Sequence, residues 1–133
     1  MMNNIDKIAW IHLSEGRLLA ARSHGKEHYY IPGGKRETGE NDHEALIREV
    51  KEELSVQIQQ ETIQSCGTFE AQADGKAEGI KVVMACYLAK YEGTLHAAAE
   101  IAEIAWLSYK DRERVSSVSQ LVMEQLHEQG LLL

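Results

Sequence analysis

The segment Gly34–Val56 reads GKRETGENDHEALIREVKEELSV and holds the most specific pattern of charged residues in this chain. Near its end, Glu49, Glu52 and Glu53 stand at positions i, i+3 and i+4. If the segment is helical, this spacing puts three carboxylates on one helical face. Like charges so placed repel each other, so the arrangement favours a compensating cation. A hard divalent metal ion bound through oxygen is the natural candidate.

The same segment predicts an amphipathic helix over Asn41–Leu54. Apolar residues recur there near helical spacing, and Asn41 or Asp42 is available to cap the start. The apolar positions are Ala45, Leu46, Val50 and Leu54. The glutamates lie opposite this apolar stripe, where a solvated acidic face is the alternative interpretation.

Length and charge limit what the chain can do. It has 133 residues, with 21 acidic and 14 basic side chains and a net charge of -7. The length predicts one domain over residues 1–133. The negative net charge makes this domain a poor candidate for general nucleic-acid binding. No membrane span and no signal-peptide pattern are found in the sequence, so we expect a cytoplasmic protein with small-molecule partners. Cys66 and Cys86 lack zinc-type spacing and are expected to be buried free thiols, with a disulfide as the alternative.

Strand-like segments surround the helix. The predicted strands are Ile5–Leu13, Arg17–Arg22, Tyr29–Ile31, Val56–Ile58, Ile63–Ala71, Ile80–Ala89 and Ile101–Leu107. The first two flank a turn and predict a hairpin, and Tyr91–Gly93 predicts another turn. A second amphipathic helix is predicted over Ser116–Gln129. Its expected inward residues are Val118, Leu121, Val122 and Leu126. Strands that bracket two helices favour a sheet covered on both faces.

The charged segment resembles the signature of the Nudix hydrolase family, G-x5-E-x7-R-E-U-x-E-E-x-G-U, in which U is apolar. The residues that match in register are Gly34, Glu40, Arg48, Glu49, Val50, Glu52, Glu53 and Val56. Ser55 departs from the signature, which has glycine there. A glycine just after a helix often adopts φ > 0, so serine would cost up to about 1 kcal/mol or shift the helix end. The departure removes no metal ligand.

The resemblance implies an α/β/α sandwich with a mixed β-sheet between helices, and hydrolysis of a nucleoside diphosphate linked to another group X. It also implies a divalent cofactor, Mg²⁺ or alternatively Mn²⁺. The implied metal ligands are Glu49, Glu52, Glu53 and the backbone carbonyl of Gly33. Arg48 is expected to hold a carboxylate in place. Glu40 is expected to brace the preceding loop, or only to favour the helix start.

A further carboxylate from outside the segment usually completes such a site in this family. Glu100 lies six residues before Trp106, and Glu103 lies three before it. We favour Glu100 as metal ligand or general base, with Glu103 as the alternative. The expected catalytic residues are then Arg48, Glu49, Glu52 and Glu100. Arg22 and Lys35 are expected substrate contacts, because basic side chains pair with phosphate, and for each a solvated side chain is the alternative. Gly34 is also expected to contact the substrate.

Three hypotheses for the function follow from the resemblance. The leading one is hydrolysis of a (deoxy)nucleoside triphosphate to a nucleoside monophosphate and pyrophosphate, by analogy with short members of the family. The second keeps the chemistry and changes the substrate to ADP-ribose, a dinucleoside polyphosphate or an RNA 5′ end. The third is a module that binds a nucleotide without cleaving it. Ser108–Gln129 contains no asparagine, which weighs against specificity for oxidised guanine. A monomer or a homodimer is expected.

Overall fold

The computed structural model describes residues 4–133, which form nine strands and two α-helices. The strands are β1 (Ile5–Ile11), β2 (Leu13–Ser14), β3 (Arg17–Ser23), β4 (Gly33–Gly34), β5 (Gln57–Ile58), β6 (Gln64–Gln72), β7 (Lys81–Leu88), β8 (Tyr91–Glu92) and β9 (Ile101–Leu107). The helices are α1 (Asp42–Leu54) and α2 (Ser117–Glu128), and 3₁₀ segments lie at Gln60–Thr62 and Tyr109–Arg114. Within these residues, neither α-helix is long and apolar enough to cross a membrane.

The largest sheet is mixed and has β1 in its interior. Its strand order is β4-β1-β7-β6, in which β1 and β7 are parallel and the other neighbours are antiparallel. Strands β2, β3 and β9 form a second, antiparallel sheet, and β5 pairs with β8. A parallel pair needs a long crossover connection, and the chain between β1 and β7 contains helix α1.

Both faces of β1 are buried, each against a different helix. Ile8 and Trp10 belong to the apolar cluster that contains Leu46 of α1. Ala9 and Ile11 belong to the cluster that contains residues of α2. Neighbouring side chains of a strand point to opposite faces, so one strand serves both cores. The arrangement confirms the predicted α/β/α sandwich with a mixed sheet.

Helix α1 begins and ends on local signals. The Asn41 side chain accepts a hydrogen bond from the Glu44 amide at 2.8 Å, and the Glu44 carboxylate accepts one from the Asn41 amide at 3.0 Å. This reciprocal pair is a capping box. The helix ends at Ser55, whose φ of 65° lies in the left-handed region. The predicted inward residues are all buried: Ala45, Leu46, Val50 and Leu54.

Helix α2 matches its predicted range, with one correction to its inward face. Val118, Val122 and Leu126 are buried as predicted. Leu121 is 38% exposed, so its predicted inward position is wrong, and Met123 is fully buried instead. The rotation of α2 about its axis decides whether Leu121 or Met123 faces the sheet, and the spacing of apolar residues in the sequence does not fix that rotation.

The first turn of α2 is held by a residue from a distant loop. Asp74, between β6 and β7, accepts hydrogen bonds from the Ser117 amide at 3.0 Å and from the Ser117 hydroxyl at 2.5 Å. The N-cap residue, Ser116, makes no capping hydrogen bond with its own side chain. A carboxylate is favourable at a helix N-terminus, so Asp74 ties the β6–β7 loop to α2.

The predicted hairpin over Ile5–Leu13 and Arg17–Arg22 is wrong for most of its length. The first strand stops at Ile11, and β1 pairs with β4 and β7 instead of β3. Only Leu13 and Ser14 pair with β3 across the turn. The sequence shows where the chain turns, but burial of both faces of β1 decides which strands it joins.

Two short segments also differ from their predictions. Tyr29–Ile31 is not a strand and takes part only in isolated bridges, from Tyr30 to Ala21 and from Tyr29 to Val115. Tyr91 and Glu92, predicted as part of a turn, form β8 with β5. Both outcomes depend on partners far away in the chain, which local patterns do not reveal.

The two cysteines are free, as predicted. Burial raises the pKa of Cys66 to about 11 and that of Cys86 to about 12. Thiols with such raised pKa values are poor nucleophiles at neutral pH.

Candidate active site

Two glycines bring the loop before α1 against both the sheet and the helix. Gly33 and Gly34 form β4, opposite Ala9 and Ile8 of β1. Gly33 has a φ of 149°, and a Cβ there would collide with the carbonyl oxygen of Ile8. A Cβ on Gly34 would lie 2.6 Å from the carboxyl carbon of Glu49. The absence of side chains therefore allows the backbone to approach the carboxylates of α1.

Arg48 connects this loop to α1. Its Nε donates to Glu40 Oε2 at 2.6 Å, and its Nη2 donates to Glu40 Oε1 at 2.8 Å. Nη2 also donates to the backbone carbonyl of Lys35 at 3.0 Å. The hydrogen bonds from Arg48 lower the pKa of Glu40 to about 2. Glu40 thus lies where the expected bracing role would place it.

The same guanidinium contacts two of the expected metal ligands. Arg48 Nη1 donates to Glu49 Oε1 at 2.9 Å and lies 3.4 Å from Glu52 Oε2. The Glu49 side chain is 15% exposed, whereas that of Glu52 is 54% exposed. Burial raises the pKa of Glu49, and the hydrogen bond from Arg48 opposes that rise. One cation between the two carboxylates offsets their mutual repulsion.

Glu53 is the most buried carboxylate of the site, at 2% exposure. Its Oε1 accepts a hydrogen bond from the Gly33 amide at 3.0 Å. Burial raises the pKa of Glu53 to about 8, the hydrogen bond from Gly33 opposes this, and the nearby Glu49 and Glu100 add to it. A carboxylate buried beside other carboxylates is stable only with a proton or a cation.

Several of the expected site residues line a cleft of about 720 Å³. They are Gly33, Gly34, Lys35, Glu49, Glu53 and Glu100. Glu52 is not among the lining residues. Its carboxylate lies 3.4 Å from Arg48 Nη1, the nitrogen that also donates to Glu49. A second cavity of about 240 Å³ shares Gly33 and Gly34 with the cleft. Its apolar lining residues include Ile8 of β1, Val82 and Met84 of β7, and Val118 of α2.

Glu100 reaches the cleft because its loop is fixed to the end of α1. The His96 amide donates to the Leu54 carbonyl at 2.9 Å, and the Ala98 amide donates to the Glu53 carbonyl at 2.9 Å. Glu100 follows two residues after Ala98 and lines the cleft together with Glu53. These hydrogen bonds join two segments that lie far apart along the chain, so local sequence patterns do not reveal them.

The structure does not bring Arg22 or Glu103 to the cleft. Arg22 Nε donates to Glu103 Oε1 at 2.9 Å, and its Nη1 donates to the Lys26 carbonyl at 2.9 Å. The Tyr29 hydroxyl also donates to Glu103 Oε1, at 2.5 Å. The geometry therefore favours Glu100 over Glu103. The same geometry argues against Arg22 as a phosphate contact, because its guanidinium already donates to Glu103 and to the Lys26 carbonyl.

One residue that sequence reasoning missed also lines the cleft. Lys7 lies on β1 next to Ile8, which is opposite Gly34. Burial lowers the pKa of Lys7, Lys35 lowers it further, and Glu53 opposes the shift. The available signal was a lysine inside a strand whose following residues are all apolar. Lysine is usually solvated even when it lies in a strand, so this signal was weak on its own.

The donors in the cleft fit a hard divalent cation. Glu49, Glu53 and Glu100 offer carboxylate oxygens, which suit Mg²⁺ or Mn²⁺ better than softer metals. Burial of Glu53 beside two other acids is the specific evidence, because a cation would replace the proton that its raised pKa retains. Within residues 4–133, no group of three His, Cys, Asp or Glu side chains lies close enough together to coordinate a metal ion. Glu49 is instead bound to Arg48.

Comparison with known families identifies the class of protein. A model of the NUDIX domain matches residues 5–125, a range that contains every strand, α1 and most of α2. The chain therefore belongs to the Nudix family. It is a pyrophosphohydrolase, an enzyme class that generally uses divalent metal ions.

Solved structures show the same fold at low sequence identity. The MutT NUDIX hydrolase from Burkholderia pseudomallei has a TM-score of 0.77 and 20% identity, over 93% of this chain and 98% of that chain. The E. coli ORF135 protein has a TM-score of 0.75 and 22% identity, over 97% and 92%. A bifunctional NMN adenylyltransferase/ADP ribose pyrophosphatase from Francisella tularensis has a TM-score of 0.70 and 17% identity, over 97% and 42%. No curated protein matches the chain.

Proposed function

We propose that this enzyme hydrolyses a (deoxy)nucleoside triphosphate to a nucleoside monophosphate and pyrophosphate. The main support is the position of Glu53, which is buried in one cleft with Glu49 and Glu100. Lys7 and Lys35 line the same cleft, so it presents both the oxygens that bind a metal and cations that pair with phosphate. A short polyphosphate carried by a metal ion matches both features.

Mg²⁺ is the proposed cofactor, with Mn²⁺ as the alternative. The proposed ligands are the carbonyl of Gly33 and the carboxylates of Glu49, Glu52, Glu53 and Glu100. When bound, such an ion neutralises phosphate charge and lowers the pKa of a water molecule. Without it, the net charge of -7 would repel an anionic substrate.

The protein's own side chains then position the reacting groups. Arg48 fixes Glu49 and Glu52 through Nη1. Lys35 supplies positive charge at the edge of the phosphate chain, and the bare backbone of Gly34 lets that chain approach. Glu100 is proposed to accept a proton from the attacking water. The water oxygen bonds to one phosphorus as the bridging bond breaks, and pyrophosphate leaves with the electron pair.

A hydrolysis screen with Mg²⁺ tests the proposal. The purified protein is assayed with common and oxidised dNTPs, NTPs, ADP-ribose, diadenosine polyphosphates and RNA with a capped or triphosphorylated 5′ end. We expect one triphosphate to reach a kcat/KM of order 10⁴ M⁻¹s⁻¹ or better. The products should be the monophosphate and pyrophosphate, not orthophosphate. Preferred turnover of ADP-ribose, a dinucleoside polyphosphate or RNA would contradict the choice of substrate but not the chemistry.

Glu53→Gln separates an enzyme from a binding module. Glutamine keeps an oxygen that can accept the hydrogen bond from the Gly33 amide, so the variant should remain folded and lose turnover. Glu70→Gln is the matched control, because Glu70 is exposed and, in the part of the chain that the structure describes, pairs with Lys81 at 3.4 Å. Nucleotide binding by the wild type without any product release would support the module instead. Full activity of Glu53→Gln would show that the ligand assignment is wrong.

A further inference from the structure

Lys7 lies where two cavities meet. It lines both the cleft of about 720 Å³ and the cavity of about 240 Å³. The larger cleft contains the site glutamates Glu49, Glu53 and Glu100, whereas the smaller cavity is lined mainly by apolar side chains such as Val82 and Met84. Asp74 lines both cavities, and its carboxylate accepts hydrogen bonds from Ser117. A ligand that fills both cavities must therefore pass the ammonium group of Lys7.

The ammonium group of Lys7 lacks an ion pair within residues 4–133. In the part of the chain that the structure describes, no acidic side chain lies within ion-pair distance of it, although other basic residues, such as Lys81 and Arg22, have such partners. Lys7 is also partly buried, and burying an unpaired ammonium costs free energy. A partly buried cation that lines a cavity and has no ion pair favours an anionic ligand.

A contribution to the fold does not account for this placement. β1 is otherwise apolar from Ile8 to Ile11, and an apolar side chain at position 7 would extend that face without the cost of burying a charge. The nearby carboxylates of Glu53 and Glu49 favour the charged form of Lys7, and the nearby ammonium group of Lys35 disfavours it. The ammonium group is therefore available to a ligand.

We propose that Lys7 binds a non-bridging phosphate oxygen of the nucleotide, at the boundary between its phosphate chain and its nucleoside. This inference rests on the function proposed above. The phosphates would occupy the acidic cleft with the metal, and the less polar part of the substrate would enter the smaller cavity. Lysine suits this role because it is a point charge with three donors and can follow a flexible phosphate chain.

Three variants test the proposal in steady-state kinetics with the best substrate of the screen. Lys7→Met keeps the length of the side chain and removes its charge. We expect it to raise KM roughly tenfold to a hundredfold, the effect of losing one hydrogen bond to a charged group, with kcat within about threefold of wild type. Lys7→Arg should restore KM to within about threefold. Lys81→Met is the control and should change neither constant, because Lys81 lines neither cavity.

A binding measurement with Mg²⁺ and ligands that the enzyme does not cleave separates phosphate recognition from other roles. Titration calorimetry with Mg²⁺ compares inorganic pyrophosphate, the α,β-methylene analogue of the best substrate and the corresponding nucleoside. Lys7→Met should weaken both phosphate-containing ligands about tenfold or more and leave nucleoside binding unchanged. Thermal unfolding of each variant shows whether it is folded.

The outcomes distinguish this inference from the function on which it rests. If the wild type hydrolyses no nucleotide, the proposed function fails first. If the wild type is active and folded Lys7→Met keeps its KM and its pyrophosphate affinity, Lys7 does not bind phosphate. Equal weakening of nucleoside and pyrophosphate binding would also overturn the proposal, because it would indicate a general effect on the cavity.

Discussion

The guanidinium of Arg48 binds the carboxylate of Glu40 through two parallel hydrogen bonds, of 2.6 and 2.8 Å, while its third nitrogen, Nη1, donates to Glu49 at 2.9 Å. Paired hydrogen bonds between planar groups fix orientation as well as distance. The loop before α1 and the acidic face of α1 are therefore held to each other by one side chain.

Replacing Arg48 by lysine should damage catalysis more than folding. Lysine keeps the positive charge but cannot make the paired hydrogen bonds, so Glu49 and the loop lose their common support. We expect kcat/KM to fall about tenfold to a hundredfold, as for other residues that orient metal ligands. Arg114→Lys is the control and should leave kcat/KM unchanged, because the Arg114 side chain is 53% exposed and pairs with Asp111 outside the cleft. Full activity of Arg48→Lys would contradict the positioning role.

The two acids before Trp106 should respond differently to the same substitution. Glu100→Gln should lower kcat/KM because Glu100 lines the cleft, and should leave the unfolding temperature nearly unchanged. Glu103→Gln should lower the unfolding temperature because it weakens the contacts to Arg22 and Tyr29, with little change in kcat/KM. The reverse pattern would assign the catalytic carboxylate to Glu103.

Ser55→Gly should stabilise the protein without changing its activity. Ser55 ends α1 with a φ of 65°, a conformation in which glycine lacks the steric cost of a side chain. We expect the free energy of unfolding to rise by about 0.5–1 kcal/mol, measured by urea denaturation. Ser65→Gly, inside strand β6, is the control and should destabilise, because glycine weakens a strand interior. A lower stability of Ser55→Gly would show that the serine hydroxyl matters more than the backbone.

Asp42 should make stability depend on pH in the acidic range. Its hydrogen bond to Arg36 lowers its pKa below the usual 3.8, burial opposes the shift, and a hydrogen bond from Tyr87 adds to it. A depressed pKa stabilises the fold above pH 3.8, and this stabilisation is lost as the pH falls through the folded-state pKa.

Asp42→Asn should therefore lower the free energy of unfolding at neutral pH by about 1 kcal/mol, allowing for solvent screening. The difference between variant and wild type should shrink as the pH falls below 3.8. Urea denaturation at neutral and acidic pH measures it. A difference that does not change with pH would show that the charge of Asp42 is not responsible.

Divalent metal should stabilise the wild type and not the Glu53→Gln variant. A ligand that binds only the folded state raises its stability by about 2.7 kcal/mol at one hundred times its dissociation constant. We expect a rise in the unfolding temperature with Mg²⁺ that EDTA reverses. Glu70→Gln should show the same rise as the wild type, because Glu70 is exposed on β6 away from the cleft. An equal rise for Glu53→Gln would place the metal elsewhere.

Local patterns predicted much of the fold because they report burial and caps directly. The inward stripe of α1 and the capping role of Asn41 depend on residues a few positions apart. The hairpin prediction failed because pairing of β1 with β7 joins residues more than seventy positions apart in the chain, such as Ile8 and Ala85. No periodicity within one strand encodes its partner.

The sequence by itself determined the family resemblance and the cluster of carboxylates on α1, because fixed spacing on a helix places side chains on one face. Only the tertiary structure decided which other groups join that face. Hydrogen bonds from the loop before Glu100 to the end of α1 place Glu100 in the cleft. A hydrogen bond to Glu103 holds the Arg22 side chain outside it. Lys7 enters through the position of β1 beside β4. These contacts join distant parts of the chain, so they exist only once both sides of the sheet are packed.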